Sequence, residues 1–200
     1  MNSINRLIII VGITTSTIPH ISNAREISYD YVQGSYSSIT DSSLATDVDG
    51  TSFAFSGSFS ITPNVAFVAL FGTTSFDRVA GIEVDATELD FGITAHTSIA
   101  PSTDATFNFS VVNADIEASD GFSTASTDDT GNSIGIGIRH MLNESTEVSG
   151  GFNRVDIFDD SATTFGAGLR FYTDNKLSIG IGYSSGDDVD ALILNARIDH

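Results

Sequence analysis

The sequence predicts an all-β protein, a transmembrane antiparallel up-and-down β-barrel of about ten strands, with eight as the alternative count. Three observations carry that expectation. Large apolar residues recur at every second position, the residues between them are small rather than charged, and long connections alternate with short ones.

The alternation runs the length of the chain. Phe53, Phe55, Phe59 and Ile61 oppose Ser52, Ser56, Ser58 and Ser60; Leu89, Phe91 and Ile93 oppose Glu88, Asp90 and Thr94; Phe107, Phe109 and Val111 oppose Thr106, Asn108 and Ser110. Ile134, Ile136 and Ile138 oppose Gly135, Gly137 and Arg139. Phe165, Leu169 and Phe171 oppose Gly166, Gly168 and Arg170, and Leu177, Ile179, Ile181 and Tyr183 follow the same rule. The last strand sets Leu192, Leu194, Ala196 and Ile198 against Asn195 and Arg197. A period of two means strands with unlike faces. Three further segments read as less regular strands: Glu26 to Ser37, Asn64 to Thr73, where Val68 and Leu70 intrude on the polar face, and Glu147 to Val155.

Between these strands, Ser38 to Gly50, Thr74 to Thr87, Ala114 to Gly131 and Asp156 to Ala162 read as long polar loops. They alternate with tight links at Pro63-Asn64, Ser98 to Ser102, Leu142 to Thr146 and Thr173 to Lys176, while Gly186 to Asp188 is short on the long-loop side. An even strand count places both termini on the short-turn rim.

The polar face decides which side meets lipid. A soluble sheet would carry Lys, Glu and Arg on its wet face, but Lys176 is the single lysine here and the polar face is mostly Gly, Ser and Thr. Small residues suit a narrow lumen, so the large apolar residues are expected to face acyl chains. The strands match the roughly 9 to 11 residues that cross a bilayer when tilted. Only a closed barrel satisfies every backbone polar group there. Tyr29, Tyr31, Tyr36, Phe171, Tyr172 and Tyr183 fall near strand ends and are expected to form interfacial girdles.

The chain starts with an export signal by its pattern: one cation at Arg6, the apolar run Leu7 to Ile13, then Ser22-Asn23-Ala24. Residues 1–24 are therefore expected to be removed, leaving residues 25–200 as the barrel. The run is too short for a spanning helix, which needs roughly 20 residues. Cysteine is absent, which excludes a lipid-bearing N-terminal cysteine, disulfides and thiolate metal sites. With 8 Lys+Arg against 26 Asp+Glu the net charge is −18, so nucleic acid is excluded as a partner.

These features resemble the small outer-membrane β-barrel proteins, the superfamily of the outer membrane protein A transmembrane domain. The resemblance spans nearly all of Arg25 to Ile198 and is carried best by Ile27 to Tyr36, Gly135 to Glu144 and Thr164 to Tyr172. It implies residence in the outer membrane of a Gram-negative cell, with lipid, lipopolysaccharide and the outer-membrane assembly machinery as partners. It implies no cofactor. The C-terminus departs from the pattern, because His200 stands where the family ends on an aromatic residue that the machinery reads.

For chemistry, Glu88, Asp90, Arg139, Glu147, Arg170 and Arg197 are expected to form a charge network inside the lumen. His96 reads as a lumen residue near the short-turn rim and His140 as an interfacial residue at a strand end, so no catalytic constellation emerges. Acidic loops make divalent cations a partner to consider, with Asp47 and Asp49 as weak metal candidates, although a full calcium-loop spacing is missing. The preferred function is a structural, surface-presenting scaffold with a plugged lumen. The alternatives are a small, weakly cation-selective channel and a lipid-modifying enzyme.

Overall fold

The computed structural model describes residues 29–42, 47–173 and 176–200. The export segment and its cleavage point after Ala24 lie outside them. Ten strands follow one another: β1 (Tyr31–Asp41), β2 (Val48–Thr62), β3 (Val65–Val79), β4 (Ile82–Ala100), β5 (Thr103–Ser119), β6 (Thr124–Asn143), β7 (Thr146–Ile157), β8 (Asp160–Tyr172), β9 (Leu177–Gly186) and β10 (Val189–Asp199). Each pairs antiparallel with its sequence neighbours, and β1 closes on β10 from Tyr31 opposite Asp199 to Asp41 opposite Val189. Closure leaves no strand edge unpaired, which is what a sheet immersed in hydrocarbon requires.

The two faces sort as the alternation predicts. Phe55 is 67% exposed, Phe152 60% and Ile136 59%, whereas Ser52, Thr94, Thr106 and Ser178 on the other parity are buried. Large apolar side chains so exposed are stable only against lipid. Val68 and Leu70 lie on the inner parity of β3, the irregularity visible in the sequence. Some inner glycines let strands approach closely: a Cβ at Gly151 would sit 2.6 Å from the carbonyl oxygen of Ile136.

The connections differ from the sequence reading. The segments expected to be long loops are mostly strand, since β3 runs to Val79 and β4 resumes at Ile82, and β5 runs to Ser119 with β6 resuming at Thr124. Likewise β1 reaches Asp41 before β2 begins at Val48, and only Phe158 and Asp159 separate β7 from β8. Ala80-Gly81, Phe158-Asp159 and Asp187-Asp188 have positive φ at both positions, the geometry that matches hairpin twist in a two-residue turn. At the opposite rim, Pro101 precedes Ser102 at φ 65°, which fits a type II turn.

These segments read as loops because their alternation continues with the faces exchanged. On β5 the outward residues change from Phe107, Phe109 and Val111 to Asp115 and Glu117, while Val112 and Ile116 turn inward and are buried. On β4, outward Phe91 and Leu89 give way to Asp85 and Glu83; on β7, outward Phe152 gives way to Asp156 while Val155 and Ile157 point inward. The barrel thus changes character along its axis. It is apolar outside and polar inside near the termini, then acidic outside and apolar inside beyond them. The second part obeys the rule for a protein in water.

The strand lengths agree with this division. β4, β5 and β6 have 19, 17 and 20 residues, well beyond the roughly 9 to 11 that a bilayer needs. The surplus forms a β-walled extension beyond the outward apolar belt.

Candidate functional site

The interior divides into regions, each set by residue type. In the extension, Ile39, Val48, Phe76, Val112, Val155, Ile157, Ala162, Val189, Ala191 and Ile193 form a buried apolar cluster, with Val84, Ala114 and Phe158 packed against it. Every buried member is an inward residue in the part of its strand far from the chain termini. Phe158 joins them from the turn.

Charged and aromatic side chains converge at the terminal rim. Arg139, near the end of β6, donates from Nε and Nη2 to the two carboxylate oxygens of Glu147, the second residue of β7, and both side chains are buried. Tyr172 closes the group by donating its hydroxyl to Glu147 Oε2 at 2.7 Å. Bidentate guanidinium–carboxylate geometry is the arrangement that best offsets the desolvation of a buried pair. On β10, Arg197 Nε donates to Asp199 Oδ1 at 2.5 Å and its guanidinium lies 4.0 Å from the centroid of the Tyr31 ring. Arg170 donates to Gln33 Oε1 at 2.8 Å and to Ser178 Oγ at 3.1 Å.

The segment before β1 also enters this end. Tyr29 stacks on His96 with ring centroids 3.4 Å apart and directs its hydroxyl to Asp104 Oδ2 at 3.4 Å. Asp30 accepts the backbone N–H of Ser60 at 2.5 Å, and its carbonyl accepts that of His200 at 2.8 Å.

Between the two ends the wall is lined by Gly, Ser, Thr and Asn. Glu88 and Asp90 face inward here, two residues apart on β4. Glu88 Oε1, Asp90 Oδ1, Thr74 Oγ1, Thr164 Oγ1 and Asn195 Oδ1 have no protein partner among the described residues. These atoms mark this band as the polar layer of the interior, between the apolar cluster and the charged rim.

The six charges expected as one network are therefore distributed. Arg139 and Glu147 are joined, Arg197 and Arg170 have other polar partners, and Glu88 and Asp90 stand side by side on β4 without an arginine bonded to either among the described residues. Tyr29, Tyr31 and Tyr172 are buried inside rather than in an interfacial girdle, whereas Tyr36, Phe171 and Tyr183 are exposed on the outside. Parity explains the correction, since Tyr31 alternates with outward Val32 and Tyr172 follows outward Phe171. The same parity would have found Gln33, Asp104 and Asp199, which the reading by residue type passed over.

The remaining candidates are scattered. His140 faces outward and its Nδ1 lies 3.0 Å from Thr103 Oγ1, on the opposite side of the wall from His96. Asp49 accepts the hydroxyl of Thr40 at 2.9 Å and Asp47 is exposed. Among the described residues, no three His, Cys, Asp or Glu side chains are placed to hold a metal ion.

Similarity to solved structures agrees with this architecture. The chain is similar to the transport unit of the autotransporter AIDA-I from Escherichia coli at TM-score 0.56 and 10% identity, covering 98% of this chain and 96% of that one. It is similar to the β-domain of the Bordetella autotransporter BrkA at TM-score 0.53 and 12% identity, covering 87% and 100%. For Neisserial surface protein A the values are 0.51 and 11%, covering 86% and 98%. At these identities the likeness concerns the fold. No curated protein matches the sequence. The family model for the outer membrane protein beta-barrel domain matches residues 13–184, and the chain belongs to that family of the outer membrane.

Proposed function

We propose that this outer-membrane barrel is a non-conducting structural scaffold that holds an acidic β-extension above the outer leaflet. The observation that carries the reading is the buried apolar cluster across the far half of the interior. An aqueous path would have to cross that cluster, and at the other end the Arg139–Glu147–Tyr172 group. A polar band between two packed ends is a cavity and not a conduit. Lipid and lipopolysaccharide surround the belt in this reading. Divalent cations would screen the outward acids diffusely.

A catalytic role is not part of the proposal. His96 is engaged by Tyr29 inside the wall and His140 lies outside it, so the two do not converge on one substrate.

Planar-bilayer recording of the refolded full chain tests the reading. The expected trace is flat at moderate voltage. Steady single-channel steps, weakly cation-selective in keeping with the interior carboxylates, would overturn it.

A further inference from the structure

We propose that the two adjoining hairpin tips of the extension form a docking surface for a cationic amphipathic polypeptide. The inference rests on the scaffold reading and gives the presented surface a partner.

The β5–β6 hairpin, built from strands of 17 and 20 residues, ends in Asp120-Gly121-Phe122-Ser123, and Phe122 is 100% exposed. The neighbouring tip between β3 and β4 exposes Val79 and Ile82. Glu83 is opposite Ser119 across β4 and β5, so Ile82 and the start of the β5–β6 turn are next to each other. The result is a small apolar summit, held above the membrane by strands that continue without interruption.

The turn is fixed before anything binds. Asp120 Oδ1 accepts the backbone N–H groups of Phe122 and Ser123, each at 2.8 Å, and Ser119 Oγ accepts that of Gly121 at 3.2 Å. Gly121 supplies the left-handed residue at φ 87°. An aromatic side chain on a pre-ordered turn loses little further freedom on burial, which is the behaviour of an interface anchor.

Charge selects the partner. Below the summit the outward residues are acids interspersed with Ser and Thr, Glu83 is already paired with Arg78, and two cross-strand pairs set like charges directly opposite, Asp85 with Glu117 and Asp115 with Asp128. Such pairs destabilise a hairpin unless positive charge lies over them. A second copy of this chain would bring the same acids, and an anionic membrane surface would be repelled. A polypeptide with an apolar stripe flanked by Lys or Arg satisfies both the summit and the ladder below it.

The test uses the full chain in zwitterionic nanodiscs with two synthetic probes of equal charge, a Lys/Leu amphipathic peptide and a Lys/Ser peptide. The expected result is that the Lys/Leu peptide binds tighter than to protein-free discs, with affinity falling steeply with salt. Phe122→Ser should weaken it about tenfold, and Asp115→Asn with Asp128→Asn should flatten the salt dependence. Heat-modifiable migration confirms that each variant is folded. Equal binding to wild type and Phe122→Ser, equal binding of the two peptides, or binding no tighter than to empty discs would overturn the proposal. Bilayer recording on the same preparation separates the two readings: conduction defeats the scaffold, whereas a silent barrel that fails the peptide test defeats only the docking surface.

Discussion

Asp129, inward on β6, accepts the backbone N–H of Phe158 in the adjoining β7–β8 turn at 2.6 Å. Phe158 has φ 56°, an uncommon conformation for a bulky residue, and its ring packs on the apolar cluster. The turn therefore trades local strain for a hydrophobic cap.

That relationship predicts an inverted substitution order. Phe158→Ala loses the ring and keeps the left-handed backbone cost, whereas Phe158→Gly loses the ring and is freed of that cost. The glycine variant should be more stable than the alanine variant by about 1 kcal/mol. Asp129→Ala should cost about 1–3 kcal/mol by leaving a half-buried N–H without its acceptor. Equilibrium unfolding in detergent with urea measures all three, and an alanine variant more stable than the glycine one would refute the strain argument.

The buried Arg139–Glu147 pair gives a second prediction. Glu147→Ala should destabilise the barrel by about 3–5 kcal/mol, because a guanidinium is left in the interior without its carboxylate. Adding Arg139→Met should recover much of that loss. A double variant as unstable as the single one would mean that Glu147 acts through Tyr172 and not through charge.

The exchange of faces along the strands can be located by placing a cation on the outside. Ile136→Arg lies within the apolar belt and should cost about 2–4 kcal/mol. Thr130→Arg, three outward positions further along the same strand, should be nearly neutral because it falls among outward polar residues. Equal penalties at the two sites, read from unfolding free energies in lipid, would mean that the apolar belt does not end between them on β6.

The fold was legible because period-two alternation is a local signal that survives any arrangement of neighbours. Phe53 to Ile61 and Ile134 to Ile138 specify both strand and lipid face without reference to the rest of the chain. The extension is not legible by the same rule, since its strands are acidic on the outer parity and by composition read as loops. A mark of the exchange was nevertheless present where Val111 and Val112 stand side by side. The first faces lipid and the second the interior, the point on β5 where one solvent gives way to the other. The charge network was legible only as a list of inward charges. Which acid meets which arginine depends on strand register and on side-chain length across the lumen, and neither is encoded within one strand.

Acid should loosen the tip of β5–β6 only at the bottom of the carboxylate range. The N–H groups of Ser123 and then Phe122, both donating to its carboxylate, hold the Asp120 carboxyl below the ordinary carboxylate range. A depressed folded-state value stabilises the turn fully above the unfolded carboxylate value near about 4, and the contribution is lost as pH falls through the lower folded value. The turn should therefore stay intact at pH 5 and lose protection of the Phe122 amide only under strongly acid conditions. Asp120→Asn keeps an oxygen acceptor that does not titrate, so its turn should be indifferent to pH over the same interval, while Asp120→Ala should be unprotected throughout. Amide exchange of Phe122 followed by NMR in detergent distinguishes the three. An acid response in the asparagine variant equal to that of the wild type would assign the transition to another carboxylate of the extension.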